Sequence, residues 1–421
     1  MQPATAWDWS PGRRVVLDDV KKCSREYEWL EEYVASPDGE SLAVPANFGE
    51  EGASMVVNGE PWENIYERVW YPRYSPDGRL TALAADMGEW TMCVDDTAWE
   101  NTYGFLLNTR FSATGDVIAA PVQKDGEYGW VVDDAIWETT YEFANQFAMA
   151  ADGSATAAVV QNVSFGQADI FTYKKGCYSV AVNGESWGTN FINCYSPAFD
   201  AAGKSVAATV RTSLYDYTIV VDGKPWAKTW PCAWEPVFNP ATGDVCAAVR
   251  MAGRWGMALN GELIWNPTFF QVWQQQFSGD GKHLYAIVSP AYGKWTVAVD
   301  GQPWAPTFGS QVTDLVVSPD GAHAAALGAD AGAYAVAVDG YVWPGTFAMA
   351  WAPVFSADSE HCAAKVERRG GKFTILVDGK PYKENFDQVW DPVFSPEGDK
   401  VLIRAIDNGK YCRIVVPVRD F

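Results

Sequence analysis

The side chains able to do covalent or acid–base chemistry in this 421-residue chain are scattered. His283, His323 and His361 each stand two residues after a Ser-Pro-Asp-Gly-like turn, in different copies of a repeat. That placement spreads possible general bases apart instead of converging them. Cys23, Cys93, Cys177, Cys194, Cys232, Cys246, Cys362 and Cys412 form no Cys-x-x-Cys or Cys-x-x-Cys-His spacing. The spacing argues against a zinc site, an iron–sulfur cluster and covalent haem. The sequence holds no Walker loop and no His-Glu-x-x-His helix. Asp222, Asp300, Asp339 and Asp378 read as turn residues, and the 53 acidic residues leave a paired-carboxylate glycosidase site open. The expectation is a chain that is not an enzyme and needs no cofactor and no metal.

Binding chemistry is carried instead by aromatic residues, and these are periodic. A Phe-Ser-Pro-Asp-Gly-like turn ends at Gly39, Gly78, Gly115, Gly153, Gly203, Gly243, Gly281, Gly321, Ser359 and Gly398. A Val-Asp-Gly-x-x-Trp signature places its aromatic at Trp62, Trp99, Trp137, Trp187, Trp226, Trp265, Trp304, Trp343 and Tyr382. A second aromatic follows each of these four residues later, from Trp62/Tyr66 to Tyr382/Phe386. On a strand such residues share a face, and large rings there fill the wedge between blades. A third aromatic stands eight residues before the turn glycine (nine before Gly243): Trp70, Tyr195, Trp234, Trp273, Trp351 and Trp390. This position reads as the link between the outer strand of one blade and the inner strand of the next. Rings there either grip a partner loop, a sugar or a flat cofactor, or cap the apolar core.

A period of about 39 residues means an array whose units bury their apolar faces only against neighbours. Phe277–Phe308 shows how one unit folds. Ser278-Gly279-Asp280-Gly281 is a turn, Lys282–Val288 a strand, Ser289–Gly293 a loop, and Trp295–Val299 a second alternating strand. Asp300-Gly301 is a hairpin turn because both residues tolerate positive φ. Pro303-Trp304 then opens a short strand ending near Phe308. Four short strands per repeat with no helical period predict an all-β fold, a β-propeller of about ten four-stranded antiparallel blades.

Residues 1–14 read as an N-terminal arm and 15–421 as the propeller, a single ring by preference over two smaller ones because no linker divides it. Val15–Asp19 resembles a third strand with its turn, and Cys23 and Tyr27 stand where an aromatic pair would be. Val401–Ile406 and Tyr411–Val416 read as second and third strands, so the termini are expected to complete one composite blade, with one N-terminal strand left over. The repeat from Gly153 to Gly203 is longer than the rest. Its insertion, about residues 162–176, carries Phe171, Tyr173, Lys174 and Lys175, a basic-aromatic cluster on an acidic chain. Together with the six periodic aromatics it forms the expected partner-binding face.

Net charge is −22. Such a surface repels phosphate backbones and anionic bilayers, so neither nucleic acid nor direct membrane insertion is expected. The N-terminus lacks a basic region followed by an apolar stretch, and no window is apolar enough for a membrane helix, which favours the cytoplasm.

The Ser-Pro-Asp-Gly-x-x-Leu-Ala-like units, as at Ser36–Ala43 and Ser75–Ala82, resemble WD40-like repeats of the TolB type. With 21 tryptophans, ten units and an acidic balance, the chain is similar to the tryptophan-rich, WD40-like component of the Tmc transmembrane redox complex of sulfate-reducing bacteria. That resemblance implies a cytoplasmic accessory protein without a redox centre. It would lie peripheral to the inner membrane, beside cytochrome, membrane cytochrome b-type and iron–sulfur subunits. The competing expectation is a ligand-binding or hydrolytic propeller acting on a saccharide or peptide.

Overall fold

A computed structural model describes residues 4–167 and 169–421. Residues 1–3 of the expected arm and Ala168 of the expected insertion lie outside the described residues. Among the described residues a four-stranded antiparallel sheet recurs ten times, and the fold is a β-propeller. Among the described residues helix is confined to Lys21–Glu26, Ile170–Lys175 and three short 3-10 turns, and no helix there is long and apolar enough to cross a membrane. The chain divides into two compact units. The first comprises Met1–Thr109, Thr114–Asp116 and Ala325–Phe421, the second Arg110–Ala113 and Val117–Ala324.

In the second unit, one blade consists of Gln271–Phe277, Leu284–Ala291, Lys294–Val299 and Gln302–Pro303. Its turns follow from side-chain chemistry. Ser278 Oγ donates to Asp280 Oδ1 at 2.7 Å and accepts from the His283 amide at 3.0 Å, which locks the Ser-x-Asp-Gly corner. Asp300 and Gly301 have φ of 49° and 81°, the left-handed pair that fits strand twist in a two-residue hairpin. The expected loop Ser289–Gly293 is mostly strand, because Pro290 sits at an irregularity between Val288 and Ala291 where a missing N–H breaks no ladder bond.

Second strands are buried on both faces, as Ala207, Ala208, Ala247 and Ala248 show at 0% exposure. Small side chains there leave room for the aromatics of the facing blade. Trp265 and Phe269 pack with Leu284, Ala286 and Val288 of the next blade, and Trp230 packs with Val245, Ala247 and Val249. Each buried ring removes roughly 150–250 Å² from water, so these seams carry most of the apolar stabilisation.

The paired aromatics pack as expected but are not held as expected. In eight of nine blades the fourth strand is only two residues long, and the two aromatics flank an irregular segment. The second aromatic makes an isolated bridge to the start of the third strand, as in Tyr217–Trp230 and Trp295–Phe308. A buried hydroxyl bonds the segment in several blades, while Gly129 and Ala335 hold the same position in blades broken in the same way. Thr218 Oγ1 donates to Lys228 O and Thr296 Oγ1 to Pro306 O, both at 2.7 Å, which pulls the segment inward. Where Gly256 occupies that position, the fourth strand runs unbroken from Glu262 to Phe269, and the Trp265 carbonyl lies where a Cβ would stand. In five blades the first aromatic of the pair, from Trp137 to Trp343, packs on the glycine of the next blade's turn. A Cβ on Gly223 would meet Trp187 at 3.6 Å, and one on Gly301 would meet Trp265 at 3.3 Å.

In the first unit the same seam joins Trp343 to Gly379, where a Cβ would stand 3.2 Å from the ring. The termini do share a blade, with different membership from that expected. Gly12–Leu17 pairs antiparallel with Lys410–Pro417, which pairs with Lys400–Asp407. The N-terminal strand is therefore the fourth strand of the composite blade, not a surplus third one. Cys23 and Tyr27 do not lie on a strand. Lys21–Glu26 is helical, and the Tyr27 amide bonds Cys23 O at 3.0 Å. The four-residue spacing is kept by one helical turn, which buries Cys23 against Val44, Ala46 and Val56. Arg404 and Arg413 clasp the composite blade to the neighbouring turn, donating to Ser36 O at 2.9 Å and Asp38 O at 2.8 Å.

Candidate functional site

The six periodic aromatics do not lie in links between blades. Each stands on, or in a gap of, the first strand of its own blade. Four of them immediately precede a residue in the left-handed region: Tyr71, Ser196, Glu235 and Gln274, with φ between 48° and 54°. The strand register slips there, between Trp70 and Arg73 and at the equivalent points after Tyr195, Trp234 and Trp273. Trp351 and Trp390 stand in gaps, Met349–Ala350 to Val354–Phe355 and Gln388–Val389 to Val393–Phe394. Pro72, Pro197, Pro236, Pro353 and Pro392 fall in these breaks, where a residue without an N–H gives up no ladder bond, but the slips after Trp273 and Asn145 occur without proline.

Behind each ring stands a second one, from the start of the same blade's third strand. In the first unit these pairs are Trp70–Trp90 at 6.2 Å, Trp351–Phe373 at 5.8 Å and Trp390–Tyr411 at 5.7 Å between centroids. In the second they are Tyr195–Tyr217 at 6.5 Å, Trp234–Trp255 at 4.0 Å and Trp273–Trp295 at 4.6 Å. The reason is register. Trp70 pairs with Leu83 and Leu83 with Met92, so Trp90 is the diagonal neighbour two residues away, within reach of a large ring. Trp234 also donates Nε1–H to Val272 O at 3.1 Å. Trp70 is 37% exposed and the other five are half-buried. The rings both cover the sheet and remain partly open to solvent.

Lys365 lies opposite Trp351, whose amide bonds the Lys365 carbonyl at 3.1 Å. Its Nζ sits 4.1 Å from the Trp351 ring and 5.8 Å from Phe373, a cation held by aromatic faces. Burial pushes its pKa down, and the nearby Asp391 carboxylate partly offsets this.

The insertion is a helical turn, not an open loop. Asp169 caps Ile170–Lys175 by accepting from the Thr172 amide at 3.0 Å. Tyr173 donates to Asn193 Oδ1, which docks the turn on the first strand that carries Tyr195. Phe165 packs on Tyr173 at 5.9 Å. Phe171 is 78% exposed, and Lys174 and Lys175 are exposed beside it. Of the expected partner-binding residues, the structure therefore brings Tyr195 and the insertion together in the second unit.

Trp70 borders two clefts in the first unit. One, of about 450 Å³, is walled by Trp29, Trp70, Trp90 and Phe105 with Glu31, Glu67 and Arg68. The other, of about 750 Å³, lies between Glu31, Glu32, Trp70 and Arg73. Trp29 and Phe105 belong to no repeat signature, so sequence periodicity missed them.

The histidines serve turns. His283 Nδ1 lies 2.7 Å from Asp300 Oδ2 in the second unit, and His361 Nδ1 lies 2.7 Å from Asp378 Oδ2 in the first. The other oxygen of each aspartate accepts from the Leu284 or Cys362 amide. All eight cysteines are free thiols. Burial pushes Cys93 up to about 11 and raises Cys194 and Cys362 as well, which keeps them protonated and poorly nucleophilic. Among the described residues no three His, Cys, Asp or Glu side chains gather in a metal-binding group.

No family model matches the chain, and no curated protein matches its sequence. Among solved structures it is similar to a crystal structure of a eukaryotic initiation factor, with TM-score 0.51 and 11% identity over 85% of this chain and 96% of that one. It is also similar to a structure from a study of two prolyl endopeptidases, with TM-score 0.37 and 9% identity over 84% of this chain and 57% of that one. The first likeness, at that identity, is one of fold.

Proposed function

We propose that this chain is a non-catalytic scaffold whose first-strand aromatics dock partner proteins. The observation that carries the reading is the two-ring stack at Trp70, Tyr195, Trp234, Trp273, Trp351 and Trp390. A ring propped from behind loses little further freedom on binding, and rigid aromatics are the usual anchors of protein interfaces. The insertion adds Phe171, Tyr173, Lys174 and Lys175 beside Tyr195. The partners we propose are the subunits of a Tmc-like membrane-associated electron-transfer complex: a cytochrome, a membrane cytochrome b-type protein and an iron–sulfur protein. This rests on the resemblance of the repeat units and the tryptophan-rich, acidic composition. The chain would then work in the cytoplasm, at the membrane through its partners.

The test is a pull-down from solubilised membranes of the source cells, with the wild-type chain and the Trp351→Ala/Trp390→Ala variant. Recovery of redox subunits by wild type, reduced in the variant at temperatures where both are folded, supports the reading. Wild-type chain that recovers no redox subunits overturns it. A variant that loses binding only as it unfolds makes those two rings core caps.

A further inference from the structure

The cleft beside Trp70 has a chemistry of its own. Three consecutive first strands supply its rings: Trp29, Trp70 and Phe105, which are 47%, 37% and 37% exposed. Trp90 lies behind them, 6.2 Å from Trp70 and 5.5 Å from Phe105. Water-exposed rings gathered around one cavity are costly unless something covers them. Two carboxylates, Glu31 and Glu67, face one cation, Arg68. Arg68 does not neutralise Glu31, whose carboxyl is pushed up by partial burial and by Glu32 with no cation acting on it. The fold already holds a cation at the equivalent aromatic position of another blade, where Lys365 lies 4.1 Å from the Trp351 ring. Opposite Trp70 stands Leu83, so this blade supplies no cation from its own second strand.

We propose that this cleft receives a lysine or arginine side chain of a partner protein, held by the faces of Trp29, Trp70 and Phe105 with Glu31 and Glu67 as counter-charges. The net charge of −22 draws a basic segment toward the surface from a distance, and the rings select where its cation settles. The inference rests on the scaffold reading and names the chemistry of one partner contact.

The probe is a dye-labelled Gly/Ser peptide carrying two lysines, titrated with the full chain and read by anisotropy. Its twin carries both lysines acetylated, and maltoheptaose serves as a neutral competitor. Trp70→Ala alters no charge, so it separates the cleft from general attraction to an acidic protein. Trp70→Ala and Glu31→Gln are each expected to weaken the lysine peptide about threefold to tenfold, the range of a cation–π contact plus its counter-charge. The acetylated twin is expected not to bind. Where Trp70→Ala lowers the melting temperature, Glu31→Gln decides the matter. Unchanged affinity in Glu31→Gln, equal binding of the acetylated twin, or displacement by maltoheptaose overturns the proposal. The wild-type membrane pull-down fails or succeeds independently of these variants, so loss of the cleft and loss of the scaffold reading remain distinguishable.

Discussion

Replacing Gly379 with alanine tests the seam between blades. Gly379 is the second residue of an Asp-Gly turn, with φ of 77°. A Cβ there would stand 3.2 Å from Trp343 Cγ, 3.3 Å from Cδ1 and 3.4 Å from Pro344 Cδ. Trp343 is 5% exposed and cannot swing into water to make room. Gly88 is the matched control: its turn has the same form, with φ of 50° at Met87 and 83° at Gly88, and a Cβ there meets nothing within 4 Å. Left-handed backbone costs an L side chain about 1–2 kcal/mol. The stiffer unfolded chain returns about 0.4–1 kcal/mol. Gly88→Ala should therefore lose about 1 kcal/mol. Gly379→Ala adds overpacking of about 1–3 kcal/mol, for a total near 2–4 kcal/mol. With about 2.1 cal/mol/K of unfolding entropy per residue, each kcal/mol lowers Tm by about 1 °C if the chain melts as one and about 2 °C if the unit melts alone. Urea titration followed by tryptophan fluorescence, with calorimetry on the same samples, measures both variants. If Gly379→Ala is no less stable than Gly88→Ala, the tryptophan–glycine contact is not what holds adjacent blades together.

Thr296→Val removes the buried hydroxyl that bonds Pro306 O and leaves that carbonyl without its partner. The expected loss is about 1–2 kcal/mol by urea titration, with faster amide exchange at Phe308, whose N–H bonds Trp295 O at 2.8 Å; an unchanged midpoint would show the hydroxyl is incidental. Alkaline pH should weaken the fold progressively. Burial raises Cys93 to about 11 and Tyr33 to about 12, and raises Tyr74 and Tyr411 in the same direction. The unfolded chain therefore gives up these protons first, so the stability they contribute is intact below the unfolded thiol value of about 8.5 and is lost as pH climbs through the folded values. Lys365, with its lowered pKa, works in the opposite sense but is one group against many. Melting temperatures that stay flat between about pH 8 and pH 11 would contradict those raised values.

Much of the fold was legible because each corner has its own chemistry. Ser278-Asp280-Gly281 and Asp300-Gly301 specify their turns through local bonds and positive φ, so the strands between them could be read directly. One error came from distance along the chain and another from an ambiguous local spacing. Whether Val15–Asp19 was a third or a fourth strand depended on Lys410–Pro417, at the far end of the sequence, and the N-terminal strand pairs there. Cys23 and Tyr27 have a spacing that a strand and a helix satisfy equally, and Lys21–Glu26 took the helix.

The sequence by itself determined the repeat, the all-β class and the recurrence of the six aromatics, while their place on first strands and not in links came from the structure. It did so because periodicity and turn propensity are written in neighbouring residues. Only the tertiary structure decided what those rings rest on. The partner of Trp70 is Trp90 because Leu83 pairs with both strands and shifts the contact to the diagonal. Trp29 and Phe105 stand ten residues before Gly39 and Gly115, outside the recurring signatures, and they join Trp70 in one cleft because three successive first strands lie side by side there. Contacts between residues that share no local pattern are set by how sheets stack, and stacking is a property of the folded chain, not of any window within it.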